Sequence, residues 1–190
     1  MHELFSIPVY QNKINIDCKK LETLAYEEQK KDTIGRCKSN NGYQTNDLDF
    51  NIYKFLFDEV SKHAEEFFKC FNHKVDLKYL NAWINISGNK DFNRLHNHQQ
   101  SIISGVVYIR VPDNSGNIIF ENPNLAIEYV HPTEELTSLN NYNSPEWFIK
   151  SIAGEILMFP SYLRHYVQEN KSNKDRISLS FNLGKNHNYR

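Results

Sequence analysis

Three imidazoles in two widely separated stretches carry most of the chemistry this chain can do. His96-Asn97-His98 sets two of them two residues apart, so an extended backbone points both to one face. His165 closes the run Phe159-Pro160-Ser161-Tyr162-Leu163-Arg164-His165, and Arg176-Ile177-Ser178 follows it. Neutral imidazole is the commonest ligand for transition metals such as Fe(II), Zn and Cu. Two ligands from one strand and a third from a distant strand build a facial metal site with open positions. The pattern predicts a metal-dependent enzyme with His96, His98 and His165 as ligands. Arg176 cannot give up its proton, and its planar fork matches a carboxylate bidentately. Ser178 shares its strand face and can donate a further hydrogen bond. A buried Arg with no acidic partner needs an anion, which a diacid cosubstrate would supply; pairing with Asp175 or a surface Glu is the alternative. His2, His63, His73, His131 and His187 have no comparable setting and read as surface groups.

Alternation predicts the strands that would position these groups. Over residues 80–87, Leu80, Ala82, Ile84 and Ile86 form one face, and Asn81, Trp83, Asn85 and Ser87 the other. Over 176–183 one face is entirely apolar, while the other is Arg176, Ser178, Ser180 and Asn182. Such strands put one face in a core, and a barrel with a ligand-holding interior turns the polar face inward. Further strands are expected at 101–111 and 117–121, with the turn Pro112-Asp113-Asn114-Ser115-Gly116 between them, and at 155–159 and 165–168. The run 155–168 reads as a buried strand, a turn and a return strand. Phe5, Ile7 and Val9 alternate as an opening strand ahead of polar Gln11-Asn12-Lys13. A helix is expected over residues 17–31, with Asp17 as N-cap and Leu21, Leu24 and Ala25 at helical spacing. A second runs from Asp47 or Asp49 to about Phe71, its apolar positions Ile52, Phe55, Leu56, Val60, Ala64, Phe67 and Phe68 recurring at three and four. Residues 33–46, with Gly35, Gly42 and several Asn, read as a loop. Residues 122–150 carry Pro123, Pro132 and Pro145 without a period, a long excursion of the kind that forms lids or binding loops.

The bulk numbers exclude several classes. A net charge of −1 over 190 residues gives neither a nucleic-acid footprint nor a polybasic membrane patch. Cys18, Cys37 and Cys70 form no CxxC pair and leave an odd thiol, which favours a reducing compartment over a disulfide framework. The opening Leu4-Phe5-Ser6-Ile7-Pro8-Val9-Tyr10 is too short and Pro-interrupted for a signal peptide, and no apolar run approaches the ~18 residues of a membrane span. The expected location is the cytoplasm.

His96-x-His98, Ser104-Gly105-Val106-Val107-Tyr108, Ser115-Gly116-x-Ile118-x-Phe120, Gly154-x-x-x-x-Phe159-Pro160-Ser161-x-x-x-His165 and Arg176-x-Ser178-x-Ser180-Phe181-Asn182 together resemble the 2-oxoglutarate/Fe(II)-dependent oxygenase family. Through it the chain is similar to the prolyl-4-hydroxylase branch of the double-stranded β-helix oxygenases. The likeness covers most of the chain and is weakest over 11–75 and 122–150. It implies a mainly β fold with a helical N-terminal part: one domain spanning 1–190, in which two helices over about 17–71 support a double-stranded β-helix (jelly roll) barrel over about 74–185. It also implies Fe(II) held by the HxH region and His165, and 2-oxoglutarate chelating the metal through its 2-oxo acid end. Arg176 and Ser178 would take the far carboxylate, with Asn85 or Tyr108 assisting. The expected reaction couples decarboxylation of the cosubstrate to succinate and CO2 with hydroxylation of an unactivated C–H bond.

Two positions depart from the wider pattern. His98 stands where the superfamily has Asp or Glu, and Gln99 where such families often have Pro. A third imidazole removes one negative charge from the metal. The result is either a three-His centre or a two-His centre completed by water or Gln100. Trp83, Tyr108, Phe120 and Phe159 are candidates for a dry wall, with core packing as the plainer role. The expected partner is a small-molecule or peptide substrate, with no nucleic acid and no membrane; a homodimer is compatible with the sequence. Rival readings are a cupin-like three-His dioxygenase or isomerase that dispenses with 2-oxoglutarate, a zinc hydrolase, and a non-catalytic jelly-roll binding module. Arg176-x-Ser178 argues against the first.

Overall fold

The computed structural model describes residues 2, 4–36, 42–74 and 76–185, so Cys37 and His187 lie outside it. In chain order its elements are β1 (Tyr10–Lys13), α1 (Cys18–Lys31), β2 (Tyr43–Gln44), α2 (Lys54–Phe68) with a 3-10 turn at Lys69–Phe71, β3 (Lys78–Ser87), β4 (Asn93–His96) and β5 (Ile103–Arg110). They continue with β6 (Ile118–Glu121), α3 (Ile127–Val130), β7 (Glu146–Ile149), β8 (Glu155–Pro160), β9 (His165–Val167) and β10 (Arg176–Gly184). The strands form two antiparallel sheets, one ordered β1-β8-β5-β10-β3-β2 and the other β4-β9-β6-β7. No strand belongs to both sheets, so the jelly roll is an open barrel. No helix among the described residues is long and apolar enough to cross a membrane.

Side-chain alternation on β10 explains why the larger sheet has two different faces. Ile177, Leu179, Phe181 and Leu183 are buried in one core with Leu21 and Ala25 of α1 and Leu56, Val60 and Ala64 of α2. Each such burial contributes roughly 1.5–3 kcal/mol. The opposite face looks toward the small sheet, where Val106, Tyr108, Phe120, Leu157, Phe159 and Leu163 form a second cluster. α1 begins at the expected cap: Asp17 Oδ1 accepts from Lys20 N at 3.0 Å.

Five local expectations are corrected. α2 starts at Lys54 rather than at Asp47 or Asp49, because Thr45 N and Leu48 N donate to Ile84 O and Ala82 O at 3.0 and 2.8 Å, tying this stretch to β3. Ile52 and Phe55 are consequently 69% and 42% exposed, and Phe57 takes the core position. Within the expected loop 33–46, Tyr43–Gln44 pairs with β3 as β2. The opening strand is Tyr10–Lys13, paired with β8, and not the run from Phe5 to Val9; Pro8 has no N–H to give a ladder. The excursion 122–150 contains a strand of its own, β7, paired with β6, and none of its residues lines the cavity described below.

Leu80 also leaves its expected face. Opposite β10 the register passes from Asn182↔Asn81 to Leu183↔Tyr79, leaving Leu80 unpaired at a bulge. Tyr79 turns into the core against Phe57 and Phe181, and Leu80 is 40% exposed at the cavity rim. A bulge of one residue exchanges the two faces beyond it.

Candidate metal centre

The small sheet aligns its site residues by pairing. His96 lies opposite His165 in the β4–β9 ladder, and Phe120 lies opposite His165 in the β9–β6 ladder. Directly opposed residues bring their side chains together, and the His96 and His165 ring centroids are 4.4 Å apart. His165 reaches this place because the chain changes sheets after Pro160: β8 belongs to the six-stranded sheet and β9 to the four-stranded one. The expected buried strand and return strand are thus β8 and β9, one in each sheet. His98 lies beyond the end of β4 rather than on one strand with His96. Its backbone N–H donates to Ser161 O at 3.0 Å. Its ring centroid is 5.0 Å from His96 and 5.2 Å from His165. One ring nitrogen from each of the three residues lies within 4.8 Å of the other two.

Hydrogen bonding sets which nitrogen faces inward. Nδ1 of His96 stands 2.6 Å from Arg94 O, and Nδ1 of His165 stands 2.9 Å from Leu163 O. A carbonyl only accepts, so Nδ1 carries the proton in both rings and Nε2 keeps its lone pair. Burial, followed by repulsion from His96, lowers the His98 pKa to about 4 and that of His165 to about 3. Both rings are therefore neutral at pH 7, the form that binds a metal. Phe159 and Phe120 stand against His165 at 4.7 and 5.9 Å between centroids.

The three histidines open into a cavity of about 680 Å³ whose far wall is the polar face of β10 and its neighbours. Pairing sets that wall in rows. Ser178 lies between Asn85 and Tyr108, Ser180 between Trp83 and Val106, and Asn182 between Asn81 and Ser104. Arg176, at the end of the same face, is 4% exposed. Among the described residues it has no ion pair, and its NH1 donates to Ser115 O at 3.1 Å. Asp175, the expected structural alternative, instead accepts from the Tyr26 hydroxyl at 2.8 Å. Burial pulls the Arg176 pKa below its ordinary value, with Tyr108 and Asp91 acting the other way. The buried hydroxyls of Tyr108, Ser115 and Ser151 make no hydrogen bond of normal geometry, although Ser151 and Arg176 both offset the rise that burial imposes on Tyr108. A guanidinium and a phenol left with free donors in a closed place suit an anionic oxygen ligand.

Asn85 is largely committed elsewhere. Its Oδ1 accepts from Gln44 Nε2 at 2.9 Å and Trp83 Nε1 at 3.2 Å, and its Nδ2 donates to Ser180 Oγ at 3.0 Å. Gln100, considered as a metal ligand, lines the same cavity. Sequence reasoning missed Arg36 and Gln44, which line the same cavity; they come from the segment read as loop, where no period marks a side chain as inward. Among the other histidines, His63 is half-buried and accepts from or donates to the Tyr10 hydroxyl at 2.8 Å.

An open double-stranded β-helix with imidazoles on one sheet and a buried guanidinium on the other is the architecture of a metal- and diacid-dependent oxygenase. The family model described as "Putative 2OG-Fe(II) oxygenase" matches residues 81–182, more than half of the chain, and the chain belongs to that family of Fe(II)- and 2-oxoglutarate-dependent oxygenases. Similar solved structures include a Pseudomonas putida prolyl-4-hydroxylase at 14% identity and a TM-score of 0.60, covering 96% of this chain and 95% of that one. A viral collagen prolyl hydroxylase from Paramecium Bursaria Chlorella virus-1, solved with 2-oxoglutarate, matches at 15% identity and a TM-score of 0.61, covering 92% and 94%. HygX from Streptomyces hygroscopicus, with nickel and 2-oxoglutarate bound, matches at 10% identity and a TM-score of 0.66, covering 95% and 84%. No curated protein matches by sequence.

Proposed function

We propose that the chain is a hydroxylase of a small-molecule or peptide substrate, with His96, His98 and His165 holding Fe(II). In this reading Arg176, Ser178 and Tyr108 hold the far carboxylate of 2-oxoglutarate, and Asn85 offers its remaining amide N–H. One observation supports it above all: three imidazoles converge on a cavity that also contains a buried guanidinium with no ion pair among the described residues. The fit is chemical on both sides. The donor set is complete for a facial metal site, and a diacid satisfies the donors left open around Arg176.

The iron and its cosubstrate supply the oxidising power that places one oxygen atom of O2 on a substrate C–H, with succinate and CO2 as the other products. Everything else is the work of this chain. Backbone carbonyls of Arg94 and Leu163 orient His96 and His165 through their Nδ1 protons. Burial keeps His98 and His165 neutral. Arg176 fixes the cosubstrate's orientation by charge-assisted bonds worth roughly 1.5–3 kcal/mol each. Phe120 and Phe159 exclude water beside His165. Free Cys18 and Cys70 fit the reducing environment of the cytoplasm, where we place the protein.

Anaerobic titration with Fe(II) and then 2-oxoglutarate tests the reading. A visible absorption band is expected at one iron per chain, absent in His165→Ala, with succinate formed once O2 is admitted. Tight Zn(II) binding with no band and no succinate would replace the oxygenase reading by a hydrolytic one.

A further inference from the structure

The charge of the cavity has one sign. Among the described residues no Asp or Glu lines it, whereas Arg36, Arg176 and Lys185 do, together with eight Asn and Gln side chains. If the oxygenase reading holds, three neutral imidazoles leave a divalent ion balanced only by the dianionic cosubstrate. Arg176 and Lys185 then stand over a metal–cosubstrate pair of zero net charge, and Arg36 adds a guanidinium whose charge Asp47 offsets in part. A carboxylate ligand would have offset one of them, but His98 occupies that place.

Two of the cations reach solvent, Arg36 in part and Lys185 fully. Arg36 N donates to Gln44 O at 2.9 Å, and its guanidinium is ion-paired with Asp47. The guanidinium lies over Trp83, 5.6 Å from the ring centroid. Trp83 is pinned by its indole N–H on Asn85, and its ring stands 6.0 Å from that of His98. Cation, aromatic platform and candidate metal ligand thus follow one another along a single wall. Lys185 lies past the end of β10 on the same cavity, exposed and with no ion pair among the described residues.

We propose that the site takes an anionic substrate: a small molecule bearing a carboxylate or phosphate, held with its charge against Arg36 and Trp83 and its neutral polar groups along the amides. The proposal deepens the oxygenase reading and rests on it. An excess of positive charge in a low-dielectric cleft attracts an anion and repels a cation, while amides serve both donors and acceptors.

Trp83 reports directly on this wall. Of the two tryptophans, Trp147 is on exposed β7, so Trp147→Phe leaves one fluorophore. The protein loaded with Zn(II) and saturating 2-oxoglutarate is titrated with charged and uncharged twins: N-acetyl amino acids against their C-terminal amides, and glucose 6-phosphate against glucose. Quenching by at least one acid or phosphate is expected, at least tenfold tighter than by its twin and weakened by added salt. Arg36→Gln should erase at least fivefold of that preference and Lys185→Gln a smaller part, with 2-oxoglutarate affinity measured in each as the control. Equal binding of the twins, no quenching by any anion tested, or an intact preference in both variants would overturn the proposal. Loss of 2-oxoglutarate binding in the starting protein would instead count against the oxygenase site itself.

Discussion

His96 and His165 are directly opposed residues of one antiparallel ladder, their ring centroids 4.4 Å apart. Two of the three donors are therefore set by backbone pairing rather than by side-chain packing alone. Such pairs form as soon as the strands do. His165→Ala should abolish stoichiometric Fe(II) binding in calorimetry. His98→Ala should weaken it by at least tenfold if His98 is a ligand; unchanged affinity in that variant would reduce the centre to two histidines.

Arg176 sets function against stability. Arg176→Met removes the charge-assisted bonds to the cosubstrate, and the KM for 2-oxoglutarate should rise about 10- to 100-fold. The same change removes a buried charge that has no ion pair among the described residues. Replacing buried ions by apolar side chains of similar volume is often stabilising, so the metal-free Tm should rise. A fall in Tm with unchanged KM would show the guanidinium to be structural.

Acid should loosen the metal-free protein through the same histidines. His98 and His165 have pKa values of about 4 and about 3 when folded, against ~6.5 in an unfolded chain. Between those values the unfolded chain binds more protons, so stability rises with pH. The contribution is fully present above pH ~6.5 and is lost as pH falls through 4 and 3. Melting curves at pH 7.5, 6 and 5 should show a steady decline, which the double variant His98→Gln/His165→Gln should flatten.

Close approach of two strands in the large sheet gives a packing test. Gly105 lies opposite Phe181, and a methyl at Gly105 would run into that ring. Gly105→Ala should cost about 1–3 kcal/mol from overpacking. Adding Phe181→Leu should recover part of the loss, and a double-mutant cycle measures the coupling.

The sites were legible where one strand carries its own pattern. Period-two alternation on residues 176–183 marks Arg176, Ser178, Ser180 and Asn182 as one face, and that face does line the cavity. Helix α1 was legible for the same local reason, an Asp17 cap followed by Leu21 and Ala25. What alternation does not contain is partnership between strands. Nothing local in Phe159-Pro160-Ser161 says that the chain leaves one sheet for the other, and nothing in Leu80 shows that β10 will skip it. The start of α2 was misread because the amides of Thr45 and Leu48 are satisfied on β3, by contacts far along the chain. Arg36 escaped notice since a loop side chain has no periodicity from which its direction follows.

The three candidate ligands are not equally anchored. Ladder bonds on both flanks grip His165, one flank grips His96, and beyond the strand end the backbone of His98 is tied through its amide to Ser161. Loosening of the centre therefore begins at its third corner, and amide exchange at that position is where such fraying would first be seen.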